Sequence, residues 1–317
     1  MGKYIMKRIG YMFITLFIIA TVTFMLVNFI PGDPIGAKAK ALPESVQQNI
    51  RKKYKLDEPI YVRYGYYLYD LVRGDLGESI HYPGRSVNTI IKDQFPASFK
   101  LGIQAVLLGL IIGLPLGIIA AFHRSTWVDY TVMFIAIIGI SIPSFVLAVL
   151  LQLYVGGKFG LPIAGWTGKT HMFSGFKYTV LPTLSLALPG IASNARFMRT
   201  AVLDVINQDY VLMAKSKGVP KFTLVWKHII KNAMIPVVTI LGPRIASIIT
   251  GTIVVEQLFA VPGLGRELVN AIGNRDYTVV MSLTVFFSFL YVLSLLIVDI
   301  IYVLIDPRIK LEATNKK

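Results

Sequence analysis

The chain has 317 residues, 55% hydrophobic and 15% charged, with a mean hydropathy of +0.63. Soluble globular domains carry about 25% charged residues, so this composition excludes an ordinary soluble enzyme, and its apolar excess excludes intrinsic disorder. The net charge of +15 fits a cytoplasmic bias of cations across a membrane better than a nucleic-acid partner, and the absence of Cys excludes disulfide scaffolds, thiolate zinc sites, iron–sulfur clusters and cysteine nucleophiles.

A membrane-spanning helix needs about 20 mostly apolar residues. Six stretches qualify: 9–30, 99–122, 130–155, 178–202, 234–255 and 279–305. Lys3, Lys7 and Arg8 precede the first. Its apolar run exceeds the 7–15 residues of a signal-peptide core, so it reads as an uncleaved span. Residues 1–30 are then a cytoplasmic N-terminus and first span, and 31–98 a large extracytoplasmic loop. Residues 99–305 carry spans two to six, and 306–317 a cytoplasmic tail. With both termini inside, the inner segments hold 15 Lys and Arg against 5 in the short outer loops, as the cation bias requires.

Within the outer loop, Tyr61–Tyr69 is dense in aromatics. It reads as an interfacial anchor, with direct substrate contact as the alternative. The second span carries Gly109, Gly113 and Gly117 at four-residue spacing, a pattern that lets two helix backbones approach closely. The fourth contains Pro182, Pro189, Gly190 and Asn194, so a kink is expected. Arg196 and Arg199 at its end read as inner-face anchors. Residues 203–233 form the largest inner loop. Gly218 and Pro220 stop one short helix, and a second runs from about 222 to 232. This pair reads as a docking element, or else as a basic loop on anionic lipid.

Catalytic motifs are absent from the sequence. There is no G-x-x-x-x-G-K-[ST] phosphate loop. Gly139-Ile140-Ser141-Ile142-Pro143 half matches a nucleophile elbow, but inside an apolar span. His81, His123, His171 and His228 show no metal-ligand spacing. The chain itself is therefore expected to hydrolyse no ATP.

At this point the sequence resembles a family. Asp209-Tyr210, Ala214-Lys215, Lys217-Gly218, His228, Asn232-Ala233 and Pro236 are similar to the cytoplasmic EAA loop of binding-protein-dependent ABC importers. The closer likeness is to the B-type permease of the oligopeptide, dipeptide and nickel group. Pro31-Gly32-Asp33-Pro34, Gly74-Asp75-Leu76-Gly77, Leu181-Pro182-Thr183, Glu256 with Pro262-Gly263-Leu264-Gly265, Asp299 and Asp306-Pro307-Arg308 follow in the same order. The loop departs from the general pattern. Leu212 and Met213 stand for its first Glu and Ala, and His228 stands where Ile is expected, so an ion pair through that Glu does not carry over. The resemblance implies an all-α integral membrane protein with six transmembrane helices and the type I ABC importer permease fold. It also implies a second, C-type permease, two cytoplasmic ABC ATPase subunits that hold ATP and Mg, and an extracytoplasmic peptide-binding protein. No cofactor on this chain and no metal or nucleic acid are expected, and the membrane lipid is its surroundings.

Asp209, Tyr210, Ala214, Lys215, Lys217, Gly218, His228 and Asn232 are the candidate coupling residues. Ala214 and Gly218 are expected to let the ATPase approach closely. Intramembrane polar groups usually face a cavity or a partner. Arg244, Gln104, Gln152, Asn194 and Asp299 are therefore candidates for the substrate path, with inter-helix polar contact as the competing reading for each. Their hydrogen-bonding groups suit an amide backbone, so oligopeptide uptake is expected, with dipeptide or nickel-chelate import as the alternative. A secondary transporter is the reading from another class, and the docking loop speaks against it. A membrane-embedded enzyme needs a His or acid cluster that the sequence lacks.

Overall fold

The computed structural model describes residues 2–29, 43–167, 175–237 and 252–305. Among them the fold is all-helical; one isolated bridge, Glu78 to Ser86, is the sole β pairing. The helices are α1 (Gly2–Phe29), α2 (Glu44–Lys53), α3 (Ile60–Val72), α4 (Val87–Phe122), α5 (Trp127–Ser141), α6 (Ser144–Tyr154), α7 (Phe176–Ile206), α8 (Asp209–Ser216), α9 (Lys221–Thr223), α10 (Ile253–Leu258), α11 (Leu264–Gly273) and α12 (Tyr277–Ile305). α9 runs on as a π-helix over Leu224–Ile230 and as α-helix over 231–237.

Among the described residues three helices are long and apolar enough to cross a membrane: α1, α4 and α12. α5 and α6 are together apolar and long enough for a span but are bent by 100° at their break, the shape of a broken span or a re-entrant loop. The sequence reads 130–155 as one uninterrupted span, and the break has a local cause. Pro143 has no N–H and crowds the residue before it out of the α region, and Ile142 sits at φ −84°, ψ 119°. α7 runs helical through Pro182 and Pro189 without interruption. Most of the expected fifth span, including Arg244, lies outside the described residues, as do the motifs at 31–34 and 306–308.

α4 has 36 residues, about 54 Å at 1.5 Å per residue, against a hydrocarbon core of about 30 Å. It therefore extends well beyond the apolar run read at 99–122, and position 98/99 falls inside it. Ser86 caps its start, accepting from the Asn88 backbone N–H at 3.3 Å. α4 threads three buried clusters. Val87 and Ile90 pack with Leu264, Val279, Leu283 and Phe287 at one end. Leu101 and Ala105 meet Leu181, Val255 and Phe259 in the middle. Ala121 meets Met198, Val202, Val211 and Ile229 at the other end.

The glycine stripe explains why α4 and α7 lie so close. A Cβ on Gly113 stands 2.6 Å from the Ile191 carbonyl oxygen, and one on Gly117 stands 2.4 Å from that of Ala195. Only hydrogen fits there. On the next face, Gly139 of α5 brings its Cβ position to 3.0 Å from Ala192 Cβ.

α1 flanks this bundle against α12. Arg8 pairs with Asp299 across the two helices at 3.0 Å. Ala20, Phe24 and Val27 are buried, while Phe13, Ile14, Phe17, Ile18 and Leu26 are exposed. An exposed apolar face of this length is what lipid contact demands of a span. Phe24 also holds α3: its ring stacks on Tyr67 and tilts against Tyr64, each at 5.3 Å. The Tyr64 hydroxyl shares a 2.7 Å hydrogen bond with Thr21. The aromatic run of 61–69 thus anchors α3 onto the end of α1.

Candidate functional site

α8 and α9 form the expected helix pair. α8 ends in a Schellman arrangement: Gly218 N–H donates to the Lys215 carbonyl at 3.0 Å and Val219 N–H to that of Ala214 at 3.2 Å. Gly218 has φ +74° with open space around its Cβ position. Glycine is therefore demanded by the backbone conformation of the turn, and not by any crowding within the chain. Pro220 then starts α9.

The distribution of side chains differs from the expectation for Ala214. Ala214 and Val211 are buried against the cluster of Met198, Val202, Ile229 and Ala233. The small side chain of Ala214 therefore serves the loop's own seat on α7, and it is not on the face open to a partner. The open face carries Tyr210, Leu212, Met213, Phe222 and Trp226, exposed at 42, 52, 57, 75 and 55%. Phe222 and Trp226 rings lie 6.1 Å apart, at the i, i+4 spacing of one helical face. Asp209, Lys215 and Lys217 are exposed around them. Five large apolar side chains are thus exposed on two short helices joined by one turn, and exposed apolar surface of this kind marks an interaction site. Asn232 donates to the His228 carbonyl at 2.7 Å, four residues back in the chain. Phe222 and Trp226 were legible only through their spacing once the helix was known.

Four of the expected path residues are described, and each sits in its own separate contact. Asn194 is buried on α7 and donates to the Gly109 carbonyl of α4 at 2.9 Å. Gln104 of α4 accepts from Thr183 of α7 at 3.0 Å. Gln152 of α6 donates to the carbonyls of Ile163 and Leu258, both at 3.0 Å, bracing α6 to α10. Asp299 pairs with Arg8. All four hold helices together in this structure, and no described cavity gathers them.

Sequence reasoning missed two buried acids, Asp129 and Asp276, and the role of a third, Glu256. Asp129, at the start of α5, takes a bidentate grip from Arg199 of α7, at 2.5 and 2.6 Å. The Asp129 side chain is 3% exposed and that of Arg199 25%. Arg199 therefore pairs within the bundle and is not a free inner-face anchor, whereas Arg196 is exposed. Asp276 caps α12 by accepting from Val279 N–H at 3.3 Å. It also accepts from the Ser79 hydroxyl and from the N–H groups of Ile80 and His81, both at 3.2 Å. The turn Gly74-Asp75-Leu76-Gly77 is thereby fixed to α12, where Ser282 donates to the Leu76 carbonyl at 2.7 Å. Glu256 is fully buried and accepts from Gly265 and Arg266 N–H at 2.8 and 3.1 Å. These are orphan donors at the N-terminus of α11, whose dipole favours a carboxylate. Gly263 is needed beside it, since a Cβ there stands 2.3 Å from the carboxylate oxygen. The spaced motif of Glu256 with Pro262-Gly263-Leu264-Gly265 is thus one carboxylate and the turn that encloses it.

Residues 113–311 match the family described as binding-protein-dependent transport system inner membrane component. Residues 1–102 match its N-terminal membrane component family. The chain is 43% identical over 314 residues to the dipeptide transport system permease protein DppB of Bacillus subtilis, covering 98% of this chain and 99% of that protein. It is 40% identical over 311 residues to the oligopeptide transport system permease protein OppB of Haemophilus influenzae, and 40% to that of Salmonella typhimurium, covering 98% of this chain and all of each. A multi-pass membrane chain, helical throughout its described residues, that matches these families over 1–102 and 113–311 and these permeases over nearly its full length belongs to the inner membrane components of binding-protein-dependent transport systems.

Proposed function

We propose that the chain is one of two permease subunits of an ATP-driven importer, forming part of the path by which oligopeptides enter the cell. The observation that carries the substrate class is the near full-length similarity to permeases named for dipeptide and oligopeptide transport. In this reading it lies in the cytoplasmic membrane with both termini inside, supported by the 15 to 5 cation asymmetry. It performs no chemistry itself. A C-type permease completes the path, an extracytoplasmic peptide-binding protein delivers the substrate, and two ATPase subunits hold ATP and Mg. Arg244 stays a path candidate. Gln104, Gln152, Asn194 and Asp299 act on the path through the helix packing they maintain.

The docking face is α8 with α9. A rigid contact is required to carry the ATPase movement to α7, and the burial of Val211, Ala214 and Ile229 against α7 supplies it. Shape and apolar burial dominate over the lysines, because exposed ion pairs contribute ~0–1 kcal/mol each.

Two experiments test this reading. A deletion strain auxotrophic for one amino acid is expected to fail on tetra- and pentapeptides containing it, yet to grow on the free amino acid. Normal growth on all peptides with lost nickel accumulation would transfer the assignment to metal chelates. The paired change Phe222→Ser and Trp226→Ser is expected to cut uptake about tenfold or more, as expected for interfacial aromatic anchors. Co-purification of the ATPases should fall in parallel, while membrane insertion holds because both rings are exposed. Full uptake by this double variant would remove the docking role from the pair.

A further inference from the structure

α5 stops too soon for a membrane helix. It leaves the charged turn at 123–126 and has 15 residues, about 22 Å at 1.5 Å per residue, against a hydrocarbon core of about 30 Å. Tilting only shortens its reach across the bilayer. α6, turned by 100°, carries the chain no further in that direction. The break at 142–143 therefore lies within the apolar depth of the membrane.

Such a break leaves backbone groups unpaired. The last carbonyls of one helix and the first N–H groups of the next have no partner within their own helices. At the end of α5, Ile142 N–H donates to the Ile138 carbonyl at 3.1 Å, and Pro143 has no N–H to continue the series. The carbonyls of Gly139, Ile140 and Ser141 find no donor among the described residues. At the start of α6, Pro143 offers no side-chain cap, and Leu147 N–H is the donor that reaches the Pro143 carbonyl, at 3.1 Å. The N–H groups of Ser144, Phe145 and Val146 find no acceptor among the described residues. The Ser141 hydroxyl is spent on the Ile137 carbonyl one turn back, at 2.8 Å.

The chain covers this break on one side only. Gly139 and Ala148 are buried, with Gly139 close against Ala192 of α7. Ser141, Pro143 and Phe145 are exposed. Lipid cannot cover them, because hydrocarbon pairs with no N–H or carbonyl. Irregular backbone at membrane depth persists where it is buried in protein or lines a water-filled cavity. A protein cover has to match three donors and three acceptors within one turn of chain, whereas water supplies both kinds of partner at once.

We infer that the α5–α6 break is a wall of the translocation path, where Ser141, Pro143 and Ser144 face water and passing substrate. This rests on the reading of the chain as an importer permease, but not on the peptide assignment. Unpaired N–H and carbonyl groups offer an extended peptide backbone the partners it needs. They make no demand on its side chains.

The chain has no Cys, so single cysteines test the wall directly. The full transporter is reconstituted with Ser141→Cys, Ser144→Cys or, as a lipid-facing control, Phe17→Cys on the exposed face of α1. The unchanged chain gives the background from the partner subunits. The probe is a small charged methanethiosulfonate, which needs a thiolate in water. Modification of this chain is timed by mass spectrometry, without nucleotide and with ATP and vanadate. Ser141→Cys and Ser144→Cys are expected to react about tenfold or more faster than Phe17→Cys in at least one of the two states. Both transport tetrapeptide before labelling, since sulfur for oxygen changes little volume, and lose most of that uptake after it. Loss of nickel uptake in place of peptide uptake keeps the wall and changes only the cargo. Two results overturn the inference: both cysteines reacting as slowly as Phe17→Cys in both states, or fast labelling that leaves uptake of peptide and nickel intact.

Discussion

Replacing Arg199 by Ala is expected to lower the thermal midpoint of the purified transporter by about 5–10 °C, and Asp129→Leu with Arg199→Met together to restore most of it. The Asp129 carboxylate is almost wholly enclosed, and Arg199 covers both of its oxygens. Its other partner is the Ser125 backbone N–H at 3.1 Å, in a turn that holds Ser125 at φ +62°. Removing the guanidinium leaves a buried charge with one neutral donor. Breaking a buried pair from one side costs about 3–5 kcal/mol, and the lower end applies because Arg199 keeps a quarter of its exposure. Replacing both partners by apolar residues of similar volume removes desolvation and attraction together, which is often nearly neutral. The measurement is the loss of monodisperse complex after heating, followed by fluorescence-detected size-exclusion chromatography. Equal midpoints for wild type and Arg199→Ala would mean that the pair contributes no net stability.

Asp129 also marks where sequence reading stops. The apolar runs gave α1, α4 and α12, because length and hydropathy are local properties. Gly218 and Pro220 gave the α8–α9 turn, because αL geometry and a missing N–H act within a few residues. Arg199 and Asp129 are 70 positions apart, and nothing local announces that an acid at the start of one helix will meet an arginine near the end of another. Ala214 failed for a related reason: on a short helix with apolar residues at 211–214, periodicity does not say which side faces the chain's own core. Glu256 was legible as part of a spaced motif but not as chemistry. Its meaning came only when α11 was seen to start on it. The path candidates were chosen for polarity within spans, a property that helix-bracing amides share with residues lining a pore.

The glycine stripe of α4 is expected to answer substitution in a graded way along one helix. Gly109→Ala should be nearly silent, Gly113→Ala should reduce folded protein, and Gly117→Ala should reduce it further, with Gly117→Leu yielding no monodisperse complex. A new Cβ at Gly109 meets the Asn194 side-chain nitrogen at 3.4 Å, an ordinary contact. At Gly113 it meets the Ile191 carbonyl oxygen at 2.6 Å and Asn194 Cβ at 2.8 Å. At Gly117 it meets the Ala195 carbonyl oxygen at 2.4 Å, Met198 Cβ at 2.7 Å and the Arg199 backbone nitrogen at 3.0 Å. The obstacles at 113 and 117 are backbone or Cβ atoms of α7, so no rotamer change relieves them and the helices must part. Overpacking a tight core costs about 1–3 kcal/mol per added group. Parting the helices at Gly117 adds to this, because Met198 and Val202 then leave their cluster with Val211 and Ile229, which seats the α8–α9 loop on α7. Uptake in Gly117→Ala should accordingly fall more than the amount of folded protein does, since the surviving molecules hold that loop on a displaced α7. If all three alanine variants matched wild type in folded yield and uptake, α4 and α7 would not be packed at this distance, and the stripe would need another explanation.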